Sequence, residues 1–176
     1  SFNPVSSDRL LNAESEPQNW LMYSGNYKAQ RYSALNQLDR RNVAELEIAW
    51  VHQLSVLDRA ETTPLVVDGV MFITESPSTV IAVDAETGRP YWRYEHQLPD
   101  EIIICCGRNN RGVAVQGDTV IMSTLDAHLI ALDAKTGSVR WETEVQEGTA
   151  GYSKTGAPLV VGDKVFTGIA GGEYGI

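Results

Sequence analysis

A seven-residue pattern occurs twice in this chain, 49 positions apart, and it limits the possible folds more than any other feature. Ala82-Val83-Asp84-Ala85-Glu86-Thr87-Gly88 leads to Trp92, and Ala131-Leu132-Asp133-Ala134-Lys135-Thr136-Gly137 leads to Trp141. Between 82–95 and 131–144, seven of fourteen positions are identical. A second motif precedes each copy. The run 64–73 (PLVVDGVMFI) is echoed at 112–121 and returns at 158–166. A period of about 40–50 residues marks supersecondary units that cannot bury their apolar faces alone and must stack on one another.

Each unit reads as a small antiparallel sheet. Leu65–Val67 is an apolar strand, and Asp68-Gly69 is a hairpin turn that tolerates positive φ. Val70–Thr74 returns, Val80–Asp84 is a third strand rich in β-branched residues, and Tyr91–Tyr94 is a fourth that carries the Trp. Four short strands per repeat, each repeat with a large aromatic plate for its neighbour, predict an all-β propeller. Residues 43–54, with Trp50, read as one more outer strand. The total is about three blades, whereas propellers close with about four to eight. The expectation is an incomplete domain over 43–176, completed by the remainder of the propeller from the same polypeptide or a companion chain. Residues 1–42 read as a polar segment with short helical turns at Ser7–Asn12 and Pro17–Tyr23, covering one propeller face. Asn42-Val43-Ala44-Glu45 reads as a capping box, and 24–37 as loop.

Composition excludes several functions. Lys plus Arg is 14 against 23 Asp plus Glu, a net charge of −9, with no basic cluster, so nucleic acid is not an expected partner. A basic protein partner suits the charge. No apolar run approaches the roughly 18 residues of a membrane span. The first residues (SFNPVSSDRLLNAE) lack the basic and apolar regions of a signal peptide, so none existed or it has been removed. The three His are scattered and the two Cys are adjacent, which argues against structural zinc. Cys105 and Cys106 have three readings: two buried thiols, pairs with cysteines elsewhere, or a strained ring formed with each other. Spacing alone favours the first, because bonding between neighbours distorts the intervening peptide.

Four features exceed what blades need. They are Glu61 before the strand at Pro64, the loop Cys105-Cys106-Gly107-Arg108-Asn109-Asn110-Arg111-Gly112, the segment Tyr152–Pro158 with Thr155, and Gly171-Gly172-Glu173. Singly, each has a plain explanation: a solvated carboxylate, a surface ion pair, a turn hydroxyl, a turn. No Ser/His/Asp grouping, P-loop or GxGxxG is present to suggest another enzyme class.

Together these residues resemble the pyrroloquinoline-quinone (PQQ) dependent alcohol dehydrogenases, the quinoprotein methanol and ethanol dehydrogenase family. Leu10-Leu11-Asn12, Asn19-Trp20-Leu21, Gln30-Arg31-Tyr32-Ser33, Asn42-Val43, Trp50 and the tryptophan repeats carry the resemblance along the chain. Its most specific elements are the Cys pair followed five residues later by Arg111-Gly112, and Gly171-Gly172-Glu173-Tyr174-Gly175. The resemblance implies an eight-bladed propeller of which this is the N-terminal portion. It implies that Cys105 and Cys106 form a ring disulfide against one face of the quinone, in an oxidising, periplasmic compartment. It makes Arg111 a donor to the quinone oxygens, with Glu61 and Thr155 at the PQQ carboxylates and Ala170, Gly171 and Gly172 along the cofactor edge. Asn109 stands where the family often has an aliphatic residue. Glu173 is the implied ligand of Ca²⁺ or a lanthanide, a Lewis acid at the quinone carbonyl.

The family's other metal ligand (an Asn), its catalytic base (an Asp) and the Trp beneath PQQ are implied beyond Ile176, so no catalytic residue is assigned here. The implied reaction oxidises a small alcohol to an aldehyde by hydride transfer to metal-activated PQQ, with electrons passing to a cytochrome c-type acceptor. The rival readings are a non-enzymatic periplasmic propeller scaffold and a sugar or polyol dehydrogenase of the same cofactor class.

Overall fold

The computed structural model describes residues 2–104, 107–172 and 175. Its core is two four-stranded antiparallel sheets and the opening hairpin of a third. The first sheet holds β1 (Leu65–Val67), β2 (Val70–Glu75), β3 (Thr79–Asp84) and β4 (Pro90–Glu95), paired in sequence order. The second holds β5 (Val113–Gln116), β6 (Thr119–Ser123), β7 (His128–Asp133) and β8 (Val139–Glu144), in the same order. β9 (Leu159–Val161) and β10 (Lys164–Phe166) form the hairpin.

The repeat persists in fine detail. Asp68 and Gly69 take φ of 50° and 84°, the paired positive values a two-residue hairpin turn needs. The register shifts between Ala82 and Val83 and again between Ala131 and Leu132, the equivalent place. In both sheets the middle strands are buried and the fourth is exposed. Burial thus falls outward along each sheet, as blades packed around an axis require.

Tryptophans join the units. Trp92 Nε1 donates to Ala134 O at 3.0 Å, and its indole lies over Gly137 of the second sheet. Trp50 Nε1 donates to Ala85 O at 3.1 Å, with its indole over Gly88. The turn therefore needs glycine twice over: φ is +72° and +73°, and a Cβ at either position would fall 2.6 Å from an indole carbon.

Residues 2–31 hold one end of the sheets. Val5 and Gly117 exchange backbone hydrogen bonds of 2.7 Å, Trp20 and Val66 do so at 2.8 and 3.1 Å, and Tyr27 Oη donates to Val160 O at 2.7 Å. Arg9, on helix α1 (Ser7–Leu11), bonds Glu16 at 2.6 Å and Asp68 at 2.9 Å. These contacts gather at the β1–β2 and β5–β6 turns and on β9. The starts of β1, β5 and β9 open towards the other end.

Three local expectations are corrected. Pro17–Tyr23 forms no helical turn, because Trp20 gives its backbone N–H and C=O to Val66. Asn42 does not cap: its Nδ2 donates to Gln37 O at 2.7 Å and its Oδ1 accepts from Asp39 N at 2.8 Å, leaving one 3₁₀ turn at Val43–Glu45. Residues 43–54 form no strand, since their backbone finds no ladder partner among the described residues, although Trp50 docks as a blade tryptophan does. No helix among the described residues is long and apolar enough to cross a membrane.

Candidate functional site

Three equivalent places in successive repeats meet at the end of the sheets away from Arg9. Thr63 N donates to Arg111 O at 2.9 Å, and Arg111 N donates to Thr155 O at 3.0 Å. The leading segments of β1, β5 and β9 are thus hydrogen-bonded side by side. Their side chains converge as well. Arg111 NH2 lies 2.8 Å from Glu61 Oε2, and NH1 donates to Thr155 Oγ1 at 2.7 Å. The fork holds a carboxylate on one side and a hydroxyl on the other. Arg111 and Glu61 are each 35% exposed, so the cluster stays open to a ligand.

A buried polar layer fixes the fork. Asn110 is 4% exposed; its Nδ2 donates to Ser123 O at 3.0 Å and its Oδ1 accepts from Gly112 N at 3.2 Å. Thr74 Oγ1 bonds Asn110 O and Thr62 Oγ1, both at 2.9 Å. Gly112 takes φ +136°, and a Cβ there would come 3.1 Å from Thr63 O. That close approach explains why glycine follows the arginine.

The wall continues through Ser153, which exchanges backbone hydrogen bonds with Ala170 at 3.0 and 2.8 Å. Ala170 and Gly171 therefore lie beside the strand that carries Thr155, and Gly172 follows. Ser153 is fully buried, and its Oγ has no hydrogen-bond partner among the described residues. Asn109 is buried at 1% exposure. Cys105, Cys106 and Glu173 lie outside the described residues, and among those described no group of three His, Cys, Asp or Glu side chains could hold a metal ion.

The fork, a threonine hydroxyl, an orphaned buried serine hydroxyl and an open end form a donor set matched to a planar, oxygen-rich anion. PQQ, a flat tricarboxylate quinone, is an anion of the kind that set would suit. Sequence reasoning missed Asn110 and Lys154. Asn110 sits beside Arg111 in a loop with two adjacent Asn residues, and no local pattern marks their burial. Lys154, within the Tyr152–Pro158 segment, is 2% exposed, with Nζ donating to Gly168 O at 3.2 Å.

Comparison with known proteins places these features in a family. The profile for the PQQ glucose/ethanol/alcohol dehydrogenase β-propeller domain matches residues 20–171. The quinoprotein alcohol dehydrogenase PedH of Pseudomonas putida is 42% identical over 174 residues, which are 98% of this chain and 29% of PedH. The structure of quinohemoprotein alcohol dehydrogenase ADHIIG from Pseudomonas putida superposes with a TM-score of 0.92 at 40% identity, covering 99% of this chain and 26% of that one. A europium-containing methanol dehydrogenase gives 0.89 at 38% identity, covering 96% and 30%. The chain thus spans under a third of the length of these relatives. It belongs to the PQQ-dependent glucose/ethanol/alcohol dehydrogenase β-propeller family.

Proposed function

We propose that this chain forms the arginine side of the PQQ pocket in a dehydrogenase that oxidises a small alcohol to an aldehyde. The convergence of Glu61, Arg111 and Thr155 from three successive repeats carries this reading. When bound, the quinone supplies a two-electron acceptor and the metal ion a Lewis acid. Arg111 orients the ligand because its fork stays charged and is itself held by Glu61, Thr155 and the Asn110 layer. Gly171 and Gly172 give the backbone access to the cofactor edge. Glu173 is the proposed ligand of Ca²⁺ or a lanthanide; the europium-containing relative supports the second ion. Cys105 and Cys106 are proposed to form the ring disulfide on one quinone face, which requires an oxidising compartment such as the periplasm. The acidic charge of −9 suits a basic cytochrome as the electron acceptor.

The test uses the full-length protein prepared without PQQ, then given PQQ with Ca²⁺ or La³⁺. A protein-bound quinone absorbance and alcohol-dependent dye reduction are expected, with both lost in Arg111→Ala. Absence of any PQQ uptake by the wild type would overturn the reading.

A further inference from the structure

The three leading segments carry a second tier of side chains beside those of the site. Thr62, Asn110 and Lys154 directly precede Thr63, Arg111 and Thr155, whose backbones are hydrogen-bonded side by side. Each ties its side chain to the backbone near the end of the second strand of its own repeat. Thr62 Oγ1 accepts from Thr74 N at 3.0 Å, Asn110 Nδ2 donates to Ser123 O at 3.0 Å, and Lys154 Nζ donates to Gly168 O at 3.2 Å. The same brace thus recurs in three repeats with different chemistry. Of the three residues that follow it, Arg111 alone is charged.

Asn110 does more than its two counterparts. Its Oδ1 accepts from Gly112 N at 3.2 Å, which closes a turn around Arg111. Its backbone O accepts from Thr74 Oγ1 at 2.9 Å, a bond that crosses from the second repeat to the first. Thr74 is 2% exposed and Asn110 4%, so both are covered by protein, whereas the Arg111 side chain is 35% exposed. The amide therefore holds the base of the arginine from within, while Glu61 and Thr155 hold its tip. An amide buried and bonded in this way resists displacement, because each broken bond leaves a desolvated polar atom.

Resting on the functional reading above, we propose that Asn110 is a positioning residue. Coupled through Thr74 to the first sheet, it sets the stance of the Arg111 fork, and so the affinity for the anionic quinone, without touching that ligand. The site is tuned from the seam between two repeats.

The experiment is a double-mutant cycle on the full-length apoprotein, titrated with PQQ and followed by intrinsic fluorescence. Asn110→Ala is expected to weaken PQQ binding by about tenfold, and Thr74→Val by about threefold or more. Arg111→Lys keeps a cation but has no fork to set, so in that background each change should add less than about twofold. Gly69→Ala, a strained turn at the far end of the sheets, lowers stability and should leave PQQ affinity within about twofold of wild type. Circular dichroism checks that each variant is folded; should Asn110→Ala misfold, Thr74→Val decides from the other sheet. Unchanged affinity in both single variants would overturn the proposal. So would losses that persist in full beside Arg111→Lys, or a matching loss in Gly69→Ala, since either marks a general effect of stability. A wild type that binds no PQQ would overturn the functional reading and this inference with it, whereas normal wild-type binding with indifferent or additive variants would sink this inference alone.

Discussion

Trp92 closes over Gly137 from the neighbouring sheet so tightly that a Cβ on the glycine would sit 2.6 Å from the indole Cε3. The same turn holds φ at +73°. Gly137→Ala therefore incurs both backbone strain and overpacking, and should cost the full-length protein about 2–4 kcal/mol. Gly69→Ala provides the control: φ is +84°, but nothing lies within 4 Å of the added Cβ, so strain of about 1–2 kcal/mol is expected. Urea unfolding of both variants separates the terms. Equal costs would show that the indole contact contributes nothing.

Arg111 is held by two groups of different kinds, a carboxylate and a hydroxyl. A lysine could reach one of them but lacks the planar fork that spans both. Arg111→Lys should bind PQQ about tenfold to a hundredfold more weakly, because the remaining cation is no longer fixed towards the ligand. Thr155→Val removes one side of the support and should produce a smaller loss. PQQ titration of the full-length apoprotein checks both, and a Lys variant as tight as wild type would show that charge alone suffices.

Most of this architecture was legible because repetition reports it directly. Glu61 and Arg111 are 50 positions apart in sequence, yet each precedes the same strand of its own repeat, so the sheet geometry brings them together. Trp50 was legible for the same reason. The strand around it was not, since a strand exists only through a partner's hydrogen bonds, and 43–54 meet none among the described residues. Asn42 followed the capping pattern but spent its amide on Gln37 and Asp39. Lys154 shows the other gap: a lysine's burial depends on tertiary packing, which no local pattern records.

Glu75 ties the segment that follows Trp50 to the first sheet. Its side chain is 1% exposed, with Arg93 NH1 at 2.7 Å, His52 Nε2 at 2.8 Å and the Ser55 hydroxyl on its oxygens. Burial alone would raise its pKa, but hydrogen bonds from Arg93, Ser55 and His52 outweigh it and lower the value from 4.5 to about 2. A depressed carboxyl stabilises the fold above its unfolded pKa. That contribution, roughly 3 kcal/mol, is complete at neutral pH and fades as pH falls from about 4.5 towards 2. Glu75→Gln should destabilise the protein by a similar amount at pH 7 and flatten the acid limb of its stability profile. Denaturant midpoints between pH 7 and 3 test this; a variant that keeps the wild-type acid limb would assign the sensitivity elsewhere.

The cysteine pair is tested by mass, because its three sequence readings differ in hydrogen count. The pair follows Ile104 and precedes Gly107, which takes φ +92° with the Arg59 guanidinium facing it. Five residues beyond Cys106 in sequence, Arg111 enters the Glu61–Thr155 cluster. If the two sulfurs are bonded to each other, the unreduced proteolytic peptide spanning them should be about 2 Da lighter than its reduced form, with no second peptide attached. Free thiols would alkylate without reduction, and external pairing would bring a second peptide. A ring that serves as one face of the pocket also predicts that the double substitution of Cys105 and Cys106 by Ser weakens PQQ binding by about tenfold while leaving the circular dichroism of the sheets unchanged. An alkylated wild-type pair, or a Ser variant that binds PQQ as tightly as wild type, would remove the disulfide from the pocket and leave retention of the quinone to Arg111 and Thr155.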